Sequence, residues 1–178
     1  MTVLVAYGTT NGSTGEIARW IGDELRGCGL DVEVWPAAQV YDVNRYEAVI
    51  LGGAMYMFGW HRDARQFAHR FAGALARRPV WLFSSGPLDD SADQLPLPPI
   101  PQADAVMRVV HARGHVTFGG RLSEDARGWL GFVAHRMADE GRGGDFRNPL
   151  RVRAWAHKVA EEIKESVPVP VGSRPGRR

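Results

Sequence analysis

The sequence predicts an α/β fold, a three-layer doubly wound sandwich in which helices cover both faces of a five-stranded parallel sheet. Five short apolar runs alternate with segments in which apolar residues recur at helical spacing. This alternation implies parallel βαβ units joined by right-handed crossovers. A length of 178 residues suits one domain. We expect that domain to span residues 1–167 and to be followed by a disordered tail, residues 168–178.

The first half of the chain supplies three strands and two helices. A β-rich run after the N-terminus is typical of a strand buried on both faces. Val32 and Val34 alternate with acidic residues, which predicts a strand nearer the sheet edge. Glycines end the third apolar run and the first segment with helical spacing. The predicted strands are residues 3–7, 30–35 and 48–53, and the predicted helices are residues 14–27 and 64–77.

The second half continues the alternation. A proline-rich stretch, residues 86–101, interrupts it and is predicted to be an irregular loop. Gly119 and Gly120 end the fifth strand. The predicted strands are residues 79–83 and 115–118, and the predicted helices are residues 104–112, 124–139 and 149–167.

Composition narrows the functional classes. Hydrophobic residues make up 44% of the chain and charged residues 24%, an ordinary globular mixture. Neither a secretion signal nor an apolar stretch long enough to cross a bilayer is visible, and the single cysteine, Cys28, has no disulfide partner. These features predict a cytoplasmic protein. The net charge of +2 permits anionic partners, but three arginines in the tail are too few to indicate nucleic-acid binding.

The segment between the first strand and the first helix is suited to an anion. A helix N-terminus offers unpaired N–H groups and a positive dipole end, and the hydroxyls of this loop add further donors. Neutral donors in place of cations favour a terminal phosphate monoester. Helix capping by Ser13 or Thr14 is the alternative interpretation. The candidate phosphate-binding residues are Thr9, Thr10, Asn11, Gly12, Ser13 and Thr14.

Other phosphate motifs are missing. The pattern GxxxxGK[ST] does not occur, which excludes the usual ATP- and GTP-binding loop. The loop is also not GxGxxG, and no acidic residue ends the second strand to hold a ribose, which disfavours NAD.

The loop resembles that of the flavodoxin family, in which T-x-[TN]-G-x-T holds the phosphate of FMN. Thr9, Asn11, Gly12 and Thr14 match this pattern. The resemblance implies a flavodoxin-like domain with FMN as cofactor and with strand order 2-1-3-4-5. FMN then lies at the switch point between strands 1 and 3.

That strand order predicts further contacts from the loops after strands 3 and 4. The first loop offers flat side chains for stacking on the flavin ring, Tyr56 foremost, although Phe58 and Trp60 could instead pack the core. The second would bring backbone amides to the flavin edge, although its serines could be ordinary turn residues. The candidate residues are Ala54, Met55, Tyr56, Met57, Ser84, Ser85, Gly86 and Pro87.

A second resemblance covers the C-terminal third. Phe118-Gly119-Gly120-Arg121-Leu122, then Gly144-Asp145-Phe146-Arg147 and Trp155-Ala156, are similar to the flavodoxin-domain group that includes menaquinone-dependent protoporphyrinogen dehydrogenase. It implies an FMN-dependent oxidoreductase acting on a reduced aromatic or tetrapyrrole substrate, with a quinone or another electron acceptor. The short proline-rich loop departs from that group, whose insertion is long and basic.

Two alternatives stay open. One is a non-enzymatic electron-transfer flavodoxin with a redox partner protein, although such carriers are usually strongly acidic and the sequence pI here is about 9.0. The other is a flavin-free, protein-binding domain. The sequence does not identify a catalytic acid or base.

Four smaller interpretations complete the prediction. The helix at residues 124–139 combines apolar residues with arginines, so it either packs on the sheet or makes peripheral membrane contact. His61 is either a hydrogen-bond donor at the flavin loop or an exposed residue at a helix start. No metal site is predicted, and Cys28 is expected to be inert. Asp145 and Arg147 are expected to make structural hydrogen bonds that dock the last helix.

Overall fold

The computed structural model describes residues 1–56, 59–86, 89, 91–121 and 144–166, with Tyr56 described by its backbone alone. A 3₁₀ helix, Ala37–Gln39, accompanies the regular elements. The strands are β1 (Thr2–Gly8), β2 (Asp31–Pro36), β3 (Ala48–Tyr56), β4 (Gly59–Trp60), β5 (Val80–Ser85) and β6 (Gly114–Phe118). The helices are α1 (Ser13–Gly27), α2 (Arg62–Arg70), α3 (Ala72–Leu75), α4 (Ser91–Gln94), α5 (Pro101–Val110) and α6 (Pro149–Ser166).

The main sheet is parallel and its strands lie in the order β2-β1-β3-β5-β6. These five strands are the five that the sequence predicts, so the order 2-1-3-4-5 is confirmed. The two-residue strand β4 is an addition that pairs antiparallel with the end of β3.

Alternating residues of each central strand supply two apolar layers, one on each face of the sheet. Val3 and Val5 of β1 pack in the layer that contains α1 and α6. Leu4 and Ala6 face the other way, into the layer formed with α2, α5 and the segment after β2. The result is the predicted helix-sheet-helix sandwich. Among the described residues, no helix is long and apolar enough to cross a membrane.

Several element boundaries differ from the predicted ones. β3 continues beyond Gly53 to Tyr56 because its last two residues pair with β4. Gly53 leaves room for the indole of Trp60, which a Cβ would approach to 2.4 Å. The predicted helix at residues 64–77 is two helices that meet at Phe71, whose carbonyl accepts hydrogen bonds from the next turn.

The proline-rich loop is not wholly irregular. It contains α4, and the carboxylate of Asp89 accepts a hydrogen bond from the N–H of Ser91 at 2.9 Å, which fixes the start of that helix. Pro101 begins α5 three residues earlier than predicted, since proline suits the first turn of a helix. The helix predicted at residues 124–139 and the tail at residues 168–178 lie outside the described residues.

Candidate functional site

The carboxyl ends of the central strands bring the three predicted binding segments together. Gly8 of β1 pairs with Gly53 of β3, Gly53 pairs with Ser84 of β5, and Ser84 pairs with Thr117 of β6. One row of paired residues therefore crosses the sheet near the carboxyl ends of these strands. β1 ends at Gly8, whereas β3 continues to Tyr56 and β5 to Ser85, so the predicted segments that begin at residues 54 and 84 start inside the sheet and not after it. The three segments lie beside one another at this edge of the sheet.

The N-terminus of α1 has no side-chain cap. Gly12 is the N-cap residue and adopts a left-handed conformation with φ of 84°, and a Cβ there would meet nothing within 4 Å. Its N–H donates to the hydroxyl oxygen of Thr9 at 3.0 Å, which closes the loop. Capping by Ser13 or Thr14 is therefore not what the structure shows. The first-turn N–H groups of α1 are directed out of the helix, where an anion can accept their hydrogen bonds.

Thr14 ties the start of α1 to the end of β5. Its hydroxyl lies 2.9 Å from the hydroxyl of Ser85, and both side chains are buried. This contact joins two of the predicted binding segments, which are 71 residues apart in the sequence. In this conformation the Thr14 hydroxyl positions the loop.

Thr10 is held by His61. The N–H of Asp63 donates to Nδ1 of His61 at 3.2 Å, so the imidazole proton lies on Nε2, which is 3.2 Å from the Thr10 hydroxyl. Nε2–H then donates to the Thr10 oxygen, so the hydroxyl hydrogen of Thr10 is not used in this contact and can be donated to another acceptor. Burial lowers the pKa of His61 and keeps the ring neutral.

His61 is thus at a helix start, as one of the two interpretations states, but its side chain is only 13% exposed. It packs against Gly8, where a Cβ would lie 2.6 Å from Nδ1. The glycine at the end of β1 is therefore what allows the imidazole to reach Thr10.

The acidic residue in the first turn of α1 is neutralised. Glu16 would disfavour an anion at this helix end, but it pairs with the guanidinium of Arg147 and lies 3.8 Å from that of Arg121. The Arg147 side chain is 3% exposed and donates two hydrogen bonds, of 2.7 and 2.6 Å, to the carboxylate of Asp145. It also stacks over the ring of Trp20 at 5.1 Å.

This cluster confirms the docking role predicted for Asp145 and Arg147, since it fastens the segment before α6 onto α1. The hydrogen bonds from Arg147 lower the pKa of Asp145. The sequence did not identify Glu16 as their partner, because it lies 131 residues before Arg147.

The loops after β3 and β5, which the sequence predicts to contact the flavin ring, lie only partly within the described residues. Ala54 is buried, and its carbonyl accepts a hydrogen bond from the N–H of His61 at 2.9 Å. Met55 packs against Gly86, where a Cβ would approach the Met55 side chain to 2.7 Å. Tyr56 is the last residue of β3. Its side chain lies outside the described residues, as do Met57, Phe58 and Pro87.

Two other candidates are core residues in the structure. Trp60 is 2% exposed and packs in the layer beside α2, so the core interpretation of this residue is confirmed. Ser84 is fully buried and lies 2.8 Å from Nε2 of His115. Ser84 and Ser85 are the last residues of β5 and not residues of a turn.

The fold and the uncapped helix N-terminus after β1 define a class, the doubly wound α/β domains that hold a ligand at the switch point between strands. The flavodoxin domain family matches residues 4–131, and the chain belongs to that family. The family is one of electron-transfer flavoproteins, so membership implies a flavin cofactor. No curated protein sequence matches the chain.

Solved structures share the fold. A flavodoxin from the domain Archaea superposes with a TM-score of 0.62 at 14% identity, covering 92% of this chain and 99% of the archaeal one. The Streptococcus pneumoniae TIGR4 flavodoxin gives 0.57 at 18% identity, with coverage of 94% and 100%. Rubredoxin oxygen:oxidoreductase from Desulfovibrio gigas gives 0.61 at 13% identity, covering 93% of this chain and 36% of that one.

Proposed function

We propose that the chain is a cytoplasmic, FMN-dependent oxidoreductase whose phosphate site is the loop at residues 9–14. The observation that carries the proposal is the uncapped N-terminus of α1 behind the left-handed Gly12. A helix end of this kind, with neutral hydroxyls around it, matches a terminal phosphate held by directed hydrogen bonds.

The donor set fits FMN in two ways. Thr10 receives its hydrogen bond from His61 and so can donate its own hydroxyl hydrogen to another acceptor. Arg147 and Arg121 offset the charge of Glu16, which removes the repulsion an anion would otherwise meet. Bound flavin supplies the redox chemistry by accepting a hydride or electrons, while the protein holds the cofactor and excludes water.

We further propose a reduced aromatic or tetrapyrrole substrate and a quinone or other acceptor, as the resemblance of the C-terminal third implies. The loop at residues 55–61 is the proposed substrate contact. Peripheral membrane contact by residues 124–139 stays a prediction. A sequence pI of about 9.0 supports an enzyme over the second candidate, an electron carrier that docks a redox partner protein.

The first experiment is an absorbance spectrum of the full chain with and without added FMN, followed by an anaerobic titration with reductant. Flavin bands near one equivalent support the site. A direct two-electron reduction supports the enzyme, and two separate one-electron steps support the carrier. If excess FMN does not bind, the proposal is wrong and a flavin-free domain is favoured.

Ser13→Asp tests the phosphate site itself. An aspartate in the first turn of α1 should stabilise the flavin-free protein by about 0.3–1 kcal/mol through the helix dipole. It should weaken FMN binding by about fivefold to a thousandfold, because like charges in contact near a surface cost about 1–4 kcal/mol. Weaker binding in a more stable protein cannot be attributed to unfolding.

Ser13→Asn is the matched control, since it changes the side chain to nearly the same shape without the charge. Riboflavin, which has no phosphate, is the matched ligand. Its affinity should be the same in the Asp and Asn variants. Equal FMN affinity in the two variants would place the phosphate away from this helix end.

A further inference from the structure

A second group of chemically reactive side chains lies on α1 and α6. Glu24 is on the last turns of α1, Cys28 is the C-cap residue of that helix, and His157 is on α6. Nδ1 of His157 is 3.4 Å from Sγ of Cys28 and 3.2 Å from Oε1 of Glu24. All three atoms lie within 4.8 Å of one another.

The spacing has a local cause. The N–H of Cys28 donates to the carbonyl of Glu24 at 3.0 Å, so the helical turn continues to Cys28. Residues four apart on a helix share a face, which places the carboxylate beside the thiol. The facing helix α6 supplies the imidazole from 129 residues further along the chain.

The two distances that involve Nδ1 match two edges of a tetrahedral zinc site. With Zn–S of about 2.3 Å and Zn–N and Zn–O of about 2.0–2.2 Å, tetrahedral angles give an S–N edge of about 3.6 Å and an N–O edge of about 3.4 Å. Both observed distances are within a few tenths of an ångström of these values. A sulfur, a nitrogen and an oxygen ligand suit Zn²⁺, which takes a water as its fourth ligand in three-residue sites.

The surrounding charges also favour a bound cation. The C-terminus of α1 carries the negative end of the helix dipole, which favours a cation near the last turn. Lys164 of α6 lies close enough to Cys28 to interact with it electrostatically. Glu161 forms an ion pair with Lys164 at 2.8 Å, which reduces the repulsion between Lys164 and an incoming cation.

We propose that Glu24, Cys28 and His157 form a Zn²⁺ site that joins α1 to α6. Binding displaces the thiol proton, forms Zn–S, Zn–N and Zn–O bonds and leaves one position for water. The site is independent of flavin. Because the unfolded chain does not hold these three groups together, zinc stabilises the folded state, and the melting temperature rises with zinc concentration.

The single cysteine of the chain makes the test specific, because any thiol signal reports Cys28. The full chain, freed of affinity tags, is alkylated with iodoacetamide at several Zn²⁺ concentrations, and the modified fraction is followed by mass spectrometry. At free Zn²⁺ of about ten times Kd the rate should fall about tenfold, since only the metal-free thiol reacts.

His157→Gln and Glu24→Gln keep the thiol but remove a ligand. Each should shift the protecting Zn²⁺ concentration upward by about a hundredfold, since loss of a residue that merely supports a ligand already costs about 10–100-fold. Urea midpoints without metal verify that both variants fold. His69→Gln, an exposed histidine on α2, is the control and should leave the protection unchanged.

Co²⁺ provides a second readout. Tetrahedral coordination with a thiolate gives intense ligand-field bands at longer wavelength than flavin absorption, and Cys28→Ser should abolish them. Alkylation that is insensitive to Zn²⁺ would overturn the proposal. So would an unchanged protecting Zn²⁺ concentration in His157→Gln or Glu24→Gln, because the three-ligand geometry would then not be the binding site.

Discussion

Removing the hydroxyl of Thr14 tests how the proposed phosphate-binding loop, residues 9–14, is fixed to the sheet. Thr14→Val keeps the side-chain shape and deletes the group that contacts the hydroxyl of Ser85 at 2.9 Å. Thr14 is 0% exposed and Ser85 is 2% exposed, so water does not replace the lost partner. A buried hydroxyl left without a partner costs about 1–3 kcal/mol, and Ser85→Ala should cost a similar amount.

The double variant separates this contact from simple loss of packing. When both hydroxyls are absent, no polar group is stranded, and the two single losses should exceed the double loss by about 1 kcal/mol. Urea unfolding of the flavin-free chain measures each free energy of unfolding. A slope of about 1–3 kcal/mol per molar turns a loss of about 2 kcal/mol into a midpoint shift of about 1 M.

Thr2→Val is the control. The Thr2 hydroxyl contacts Asp31 at 2.9 Å on the exposed surface, and its loss should change stability by less than about 0.5 kcal/mol. Additive losses at Thr14 and Ser85 would refute the coupling. If Thr14→Val weakens FMN binding while Ser85→Ala does not, the Thr14 hydroxyl contacts the phosphate directly and does not act through Ser85.

Three further predictions concern the scaffold. Arg147→Lys should lower the free energy of unfolding in urea by about 1–3 kcal/mol, because an ammonium group cannot make the bidentate hydrogen bonds of a guanidinium to a carboxylate. The carboxylates that pair with Arg147 are partly exposed, which limits the loss. Gly53→Ala should cost about 1–3 kcal/mol because the new methyl group would lie 2.4 Å from an indole ring, whereas Gly73→Ala, with no neighbour nearer than 3.8 Å, should not destabilise the protein. Burial lowers the pKa of His115 from 6.5 to about 4, so the unfolded chain binds more protons between these pH values and stability falls as the pH falls from 6.5 to 4. In His115→Gln, unfolding free energies measured across that range should fall less steeply, and an unchanged slope would show that His115 does not contribute.

The strand order, and the position of the loop at residues 9–14 between β1 and α1, were predictable because short segments of sequence encode both. Phosphate binding by that loop stays a prediction. An apolar run with glycine after it, as at Gly8 and Gly53, signals a buried strand whatever its neighbours are. The boundaries were less predictable. The sequence around Trp60 is equally compatible with a flavin contact and with a core residue. Only the position of the indole over Gly53 in the structure shows that Trp60 is a core residue.

The contacts that shape the site were not predictable. His61 reaches Thr10 across 51 residues, and Arg147 reaches Glu16 across 131. Neither pair has a local signal, because each depends on which strands and helices become neighbours. The sequence identifies the polar residues of such a cluster but not the partner of each one.

These long-range contacts would also couple the proposed flavin binding to the stability of the fold. The loop at residues 9–14 and the first turn of α1 are held by His61 from the start of α2, by Ser85 from the end of β5 and by Arg147 through Glu16. A ligand that hydrogen-bonds the loop therefore stabilises contacts with three separate parts of the sandwich. FMN that binds only the folded state should raise stability by about 2.7 kcal/mol at a hundred times Kd. Because the three contacts reach the loop from different elements, variants at His61, Ser85 and Arg147 should lower FMN affinity and, to different extents, the stability of the flavin-free chain.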